Sequence, residues 1–189
     1  MTTTTPSTLP ADLTGDWTLD PTHTRIGFVA RHAMVSKVRG AFNEFEGSLH
    51  LDAANPAASS AELTVQVASV DTRNAQRDEH LRTNDFFDAP TFPVITFKST
   101  SVEQIDNEHF KVTGDLTIKD VTKPVTVDWE LTGLATDPWG NLRVGFEGSA
   151  TINRTDYGVN FNAILEAGGV MVSEKVTLEF DVEAVKVVA

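Results

Sequence analysis

Phe110-Lys111-Val112-Thr113-Gly114-Asp115-Leu116-Thr117-Ile118 alternates apolar and polar residues at nearly every step, and Val125-Thr126-Val127-Asp128-Trp129-Glu130-Leu131 repeats the pattern a few residues on. A period of two places one apolar and one polar set on opposite faces of a β-strand. Two such runs joined by a short link read as an antiparallel hairpin. A parallel pair would need a crossover helix and would show continuous apolar runs.

The same pattern spreads outward in both directions. Upstream lie Ile26, Phe28, Ala30 and His32, then Phe45, Gly47, Leu49 and Leu51, then Leu63, Val65 and Val67, then Ile95 and Phe97. Downstream lie Val144, Phe146, Gly148, Ala150 and Ile152, then Val176, Leu178, Phe180 and Val182. Phe42 has the wrong parity for the face of Phe45, which predicts a bulge or bend between Gly40 and Glu44. Asp137-Pro138-Trp139-Gly140-Asn141 and Gly168-Gly169 read as turns. About eight or nine strands result, so the class is all-β, antiparallel, packed as a sandwich or closed as a barrel. Gly47, Gly114 and Gly148 fall on the apolar face, where a glycine removes wall or permits a bend. Both favour a curved, closed sheet over a flat sandwich, and a barrel of eight strands is just wide enough for side chains or one small ligand.

One stretch breaks the pattern. Arg77-Asp78-Glu79-His80-Leu81-Arg82, then Asp85-Phe86-Phe87-Asp88 and Pro90-Thr91-Phe92-Pro93, read as one short helical segment near residues 74–88. Thr72 or Asn74 is the expected cap. Asp78 and Arg82 share a face and can pair. Two or three turns are unstable alone and must dock, with Phe86, Phe87 and Phe92 as anchors. A structural end-piece, a lid and a site using His80 with Asp78 all stay open. Asp78 and His80, two residues apart, point in different directions on a helix, which weakens the third.

The chain has 189 residues, enough for one domain with a sizeable core, and a net charge of -12. That charge argues against nucleic acid and against anionic membrane surfaces. Residues 1–14, mostly Thr, Ser and Pro, read as a flexible tail ahead of a domain over 15–189. No signal peptide and no transmembrane segment is visible, so the expected location is the cytoplasm. With no cysteine there are no disulfides and no thiolate nucleophile. Histidine spacing offers no metal motif, and no phosphate loop, dinucleotide fingerprint or nucleophile elbow occurs. Phe 11 against Tyr 1 suits a dry interior.

Asp16-Trp17-Thr18-Leu19-Asp20-Pro21-Thr22-His23, Gly40-Ala41-Phe42, the Arg77–Phe97 motifs, Val121-Thr122-Lys123-Pro124-Val125 and Asn153-Arg154-Thr155-Asp156-Tyr157-Gly158 together resemble the YceI-like family, in order, over about residues 16–185. The resemblance implies an extended eight-stranded antiparallel barrel of lipocalin-like shape. It implies binding of a long apolar isoprenoid lipid, of the quinone or polyprenyl phosphate type, with no catalytic cofactor. It also implies a homodimer.

By parity the cavity-facing residues are Phe28, Phe45, Leu49, Val65, Phe97, Leu116, Val127, Trp129, Phe146, Ile152 and Phe180. His32, Arg77, His80, Arg154 and Tyr157 are the candidates for a polar head group or a barrel end. Two alternatives stand beside lipid binding. One is an enzyme on a small apolar or isoprenoid substrate with His32 or His80 as acid–base, and the other a non-catalytic interaction domain with a filled core.

Overall fold

The computed structural model describes residues 9–163 and 171–188. Its strands are β1 (Gly15–Leu19), β2 (Arg25–His32), β3 (Ser36–Phe42), β4 (Phe45–Leu51), β5 (Ser60–Gln66), β6 (Val70–Asp71), β7 (Val94–Gln104), β8 (His109–Ile118), β9 (Val121–Thr136), β10 (Leu142–Asn153) and β11 (Lys175–Lys186), with one helix, α1 (Ala75–Arg82). Eight of them, β1-β4-β5-β7-β8-β9-β10-β11, follow one another, and β11 returns to β1. The ring is a closed antiparallel barrel, and closure leaves these strands no free edge. The alternating runs Phe110–Ile118 and Val125–Leu131 lie in β8 and β9, paired from Ile118↔Val121 to His109↔Glu130. The β9–β10 turn at residues 137–141 is held by Asp137, which accepts from the Trp139 and Asn141 amides at 2.9 Å each. The Gly168-Gly169 turn lies outside the described residues.

β11 divides one side between two partners. Its C-terminal part pairs with β1 (Leu19↔Ala184, Trp17↔Lys186) and its N-terminal part with β2 (Arg25↔Asp181 to Val29↔Thr177). β2, β3 and the two-residue β6 thus form a flap that prolongs the wall beyond the ring. The parity break at Phe42 is a bend at Asn43, not a bulge. The chain leaves the flap after Phe42 and enters the ring at Phe45, and β3 and β4 do not pair with each other.

The flexible-tail reading needs correction for residues 9–14. Ala11–Leu13 is a short 3-10 turn, Leu13 is only 4% exposed, and Trp17 Nε1 donates to its carbonyl at 2.9 Å. Leu9 and Leu13 line the barrel interior, so burial of two leucines outweighs the polar composition around them. Residues 1–8 lie outside the described residues.

α1 is capped by Asn74, whose side chain accepts from the Arg77 amide at 2.9 Å. Asp78 does not pair with Arg82. It is 8% exposed and accepts from the Thr72 amide at 2.8 Å and the Thr72 hydroxyl at 2.5 Å. Arg82 donates to the Ala68 and Val70 carbonyls, and Arg77 to the Thr72 hydroxyl and carbonyl. The helix is pinned to the segment that precedes it, residues 68–72.

Candidate functional site

The barrel encloses a cavity of about 280 Å³ whose walls are almost wholly apolar. One end is lined by Leu9, Leu13 and Pro56, the other by Ala30, Arg154, Val159 and Val172. The β10–β11 ladder beside it runs from Arg143↔Val185 to Asn153↔Lys175, eleven residue pairs or about 35 Å at ~3.3 Å per residue. An elongated, dry slot of this kind suits one long apolar molecule.

Ten of the eleven residues placed inside by parity line it: Phe28, Leu49, Val65, Phe97, Leu116, Val127, Trp129, Phe146, Ile152 and Phe180. Phe45 does not. It is half-buried and packs between the two apolar clusters of the core. The interrupting segment supplies wall as well, since Leu81, Phe86 and Phe87 reach the cavity. Phe87 meets Phe42 edge-on with centroids 5.8 Å apart. Phe92 is half-buried and belongs to neither cluster.

The apolar-face glycines do not open gaps. A Cβ on Gly114 would collide with the Phe97 ring, one on Gly148 with Trp129, one on Gly47 with Leu19 and one on Gly40 with Phe28. Trp129 and Phe28 are the direct cross-strand partners of Gly148 and Gly40. Each missing Cβ lets a large neighbour lie flat on the wall, so these rings line the slot rather than fill it.

Among the polar candidates, Arg154 alone lines the cavity. It follows β10 in a short 3-10 turn that ends at Gly158 in the left-handed region (φ 78). The Arg154 side chain is 6% exposed overall and donates to carbonyls only: Ser173 at 2.8 Å, Val159 at 2.7 Å and Val172 at 3.2 Å. Burial pushes its pKa down, and the charge of Glu174 opposes that. The guanidinium stays protonated. A buried cation held by neutral acceptors is an uncommon element in an apolar wall. Tyr157 is buried in the adjacent core, and burial, with Asp156 adding to it, raises its pKa.

His32, Arg77 and His80 lie elsewhere. His32 has the inward parity of Phe28 but stands past the cavity's end, exposed, on an outer basin that Arg77 also lines. His80 is hydrogen-bonded to Asp85 Oδ2 at 2.7 Å and packs edge-on against Phe86 and Phe161. It seats the helix.

Sequence reasoning missed Arg143, which closes the far seam. Its guanidinium donates to Asp137 at 2.8 Å, Asp20 at 2.7 Å and Glu183 at 3.2 Å. His23 Nδ1 adds a contact to Asp20 at 2.8 Å. Bonds from His23, Thr22 and Arg143 hold the Asp20 carboxyl far below the carboxylate range, while Arg143 first, with two backbone amides, brings Asp137 to about 2. Asp20 and then Glu183 raise His23. Ligand atoms of Asp20, His23 and Glu183 lie within 4.8 Å of one another. Arg143 already supplies positive charge to both carboxylates there.

A family model described as the YceI-like domain matches residues 17–184. Protein YceI of Shigella sonnei is 42% identical over 137 residues, covering 72% of this chain and 71% of that one. Burkholderia cenocepacia BcnA superposes with a TM-score of 0.77 at 27% identity, covering 87% of this chain and 98% of BcnA. A polyisoprenoid binding domain from Saccharophagus degradans, implicated in plant cell wall breakdown, superposes with a TM-score of 0.68 over 90% of this chain and 98% of that one. At 17% identity that likeness concerns the fold alone. By family model, sequence and fold together, the chain belongs to the YceI-like family.

Proposed function

We propose that this protein holds one long-chain isoprenoid lipid, of the quinone or polyprenyl phosphate type, along the barrel axis, and sequesters or carries it. The carrying observation is the long apolar cavity with a single buried cation, Arg154, in its wall. The lipid chain occupies the slot and the guanidinium meets the polar head, donating a hydrogen bond to a phosphate or quinone oxygen. Binding of polyisoprenoid by the related S. degradans domain supports the same reading.

Mass spectrometry of an organic extract from purified protein tests it, together with thermal unfolding after adding a polyprenyl phosphate. An isoprenoid lipid in the extract, or a ligand-dependent rise in Tm, is the expected result. An extract free of lipid combined with an unmoved Tm overturns it.

A further inference from the structure

The overall acidity of the chain is not shared by its flap. Residues 21–43 carry four Arg or Lys residues and no Asp or Glu, in a chain whose net charge is -12. Arg25, Lys37, Arg39, Arg73 and Arg77 line one outer basin. None of the five makes an ion pair with a side-chain carboxylate among the described residues. The basin's own acid, Asp71, accepts from Asn43 and from the Arg73 amide. Glu179 and Asp181 of β11 face the flap only at its base, opposite Gly27 and Arg25. Nearer the tip, Arg31 sits directly across from Lys37. Like charges in that register weaken a hairpin, so the pair favours an external anion.

The tip adds the second observation. β2 and β3 are joined by a turn in which Ala33 (φ 50) and Met34 (φ 59) both take left-handed backbone. Val35 donates to the His32 carbonyl at 3.0 Å, and Ala33 donates to the Met171 carbonyl at 2.7 Å. Turns of this form favour Asn-Gly. Here they present Met34, 68% exposed, and Val35, 83% exposed, as an apolar point with Arg31 and Lys37 just behind it. The point stands beside the cavity end lined by Ala30 and Val172, since His32 bridges to Val172.

We propose that the flap docks on an anionic phospholipid bilayer, with Met34 and Val35 entering the acyl boundary and the basic residues meeting lipid phosphates. An apolar point backed by cations is the arrangement that holds peripheral proteins at such surfaces. The objection from net charge fails on distance. The Debye length at physiological salt is about 8 Å, so the bilayer senses the flap and little of the acidic barrel beyond it. The proposal goes beyond lipid holding and does not depend on it, because docking is measured without any bound isoprenoid.

Sedimentation of the full protein with vesicles tests the proposal. Vesicles of phosphatidylcholine mixed with phosphatidylglycerol are compared with phosphatidylcholine alone, at low and high salt. The expected result is binding to the mixed vesicles that high salt weakens. Arg31→Gln/Lys37→Gln, which also relieves the like-charge pair, is expected to weaken binding by about fivefold per charge. Met34→Asn/Val35→Ser keeps a turn-compatible residue at Met34 and is expected to weaken it about tenfold or more. Thermal unfolding of both variants certifies the fold. No binding to mixed vesicles at low salt overturns membrane docking and points to an acidic protein as the flap's partner. Equal binding to phosphatidylcholine alone, or full binding by both folded variants, also overturns it.

Discussion

Trp129 of β9 lies flat against Gly148, its cross-strand partner on β10. It also stacks on Phe180 with ring centroids 5.5 Å apart. The glycine is the seat of the largest ring in the slot, so its substitution disturbs the wall rather than the space inside.

Gly148→Leu is therefore expected to destabilise the barrel. Overpacking of this kind costs about 1–3 kcal/mol, or roughly 2–4 °C in Tm for each kcal/mol in a chain of this size. Thermal unfolding measures it. A Tm equal to that of the unsubstituted protein would refute the flat-ring account.

Filling the slot needs a residue whose side chain already points into free space. Val127 is 3% exposed and lines the cavity from β9. Val127→Trp is expected to lower the amount of co-purified lipid while the β-sheet signal in circular dichroism persists. Unchanged lipid content in a folded variant would show that the ligand lies elsewhere.

Arg154 separates head-group contact from chain burial. Arg154→Met leaves the Ser173 and Val159 carbonyls without this donor, while Val172 keeps its bond from Asn162, and the loss is expected to cost about 1–3 kcal/mol of stability. Affinity for a polyprenyl phosphate is expected to fall about tenfold or more, and affinity for an isoprenoid hydrocarbon much less. Equal loss for both ligands would assign Arg154 to the wall alone.

The Asp20–His23 contact gives a pH signature of known sign. His23 is raised above its ordinary 6.5 by Asp20 and Glu183, so its contribution is full below 6.5 and disappears as pH climbs through the raised value. Asp20 acts oppositely: held below its ordinary 3.8, it stabilises above that pH and loses its contribution only in strong acid. Proton NMR of the His23 ring is expected to titrate above 6.5, with a His23→Gln variant losing the associated decline in Tm at rising pH. A midpoint at or below the ordinary value would contradict the geometry.

Asp78→Ala should loosen the helix without opening the barrel. It removes the buried acceptor of the Thr72 amide and hydroxyl, at about 1–3 kcal/mol. Faster proteolysis within residues 72–93 is the expected readout, with Asp78→Asn, which keeps an acceptor oxygen, close to the unsubstituted protein. Identical cleavage in all three would count against the pin.

How far the fold could be read from residues depends on what periodicity measures. Alternation in Phe110–Ile118 and Val125–Leu131 reports which face a side chain takes, and ten of eleven inward assignments line the cavity for that reason. It does not report height along the barrel. His32 shares the parity of Phe28 yet clears the cavity's end, and Phe45 falls between the two halves of the core. Nor does alternation name a partner strand: β2 reads like a ring strand but belongs to the flap. Arg143 of β10 and Asp78 of α1 bond to Asp137, Asp20 and Thr72, residues between elements, and such partners carry no periodic mark.

The divided pairing of β11 sets the order in which the molecule can be finished. β11 joins the ladders of β10, β1 and β2, and it is made after every other described strand. Trp17 waits for Lys186, and Arg25 for Asp181, across most of the chain. Contacts of such sequence separation form late and slowly. Without β11 the ring has no strand joining β10 to β1, so its apolar concavity has an open side. The final strand works as the slide of a zip fastener, drawing ring and flap together in one event. A molecule lying in the trough when the slide arrives is enclosed without having to thread either end.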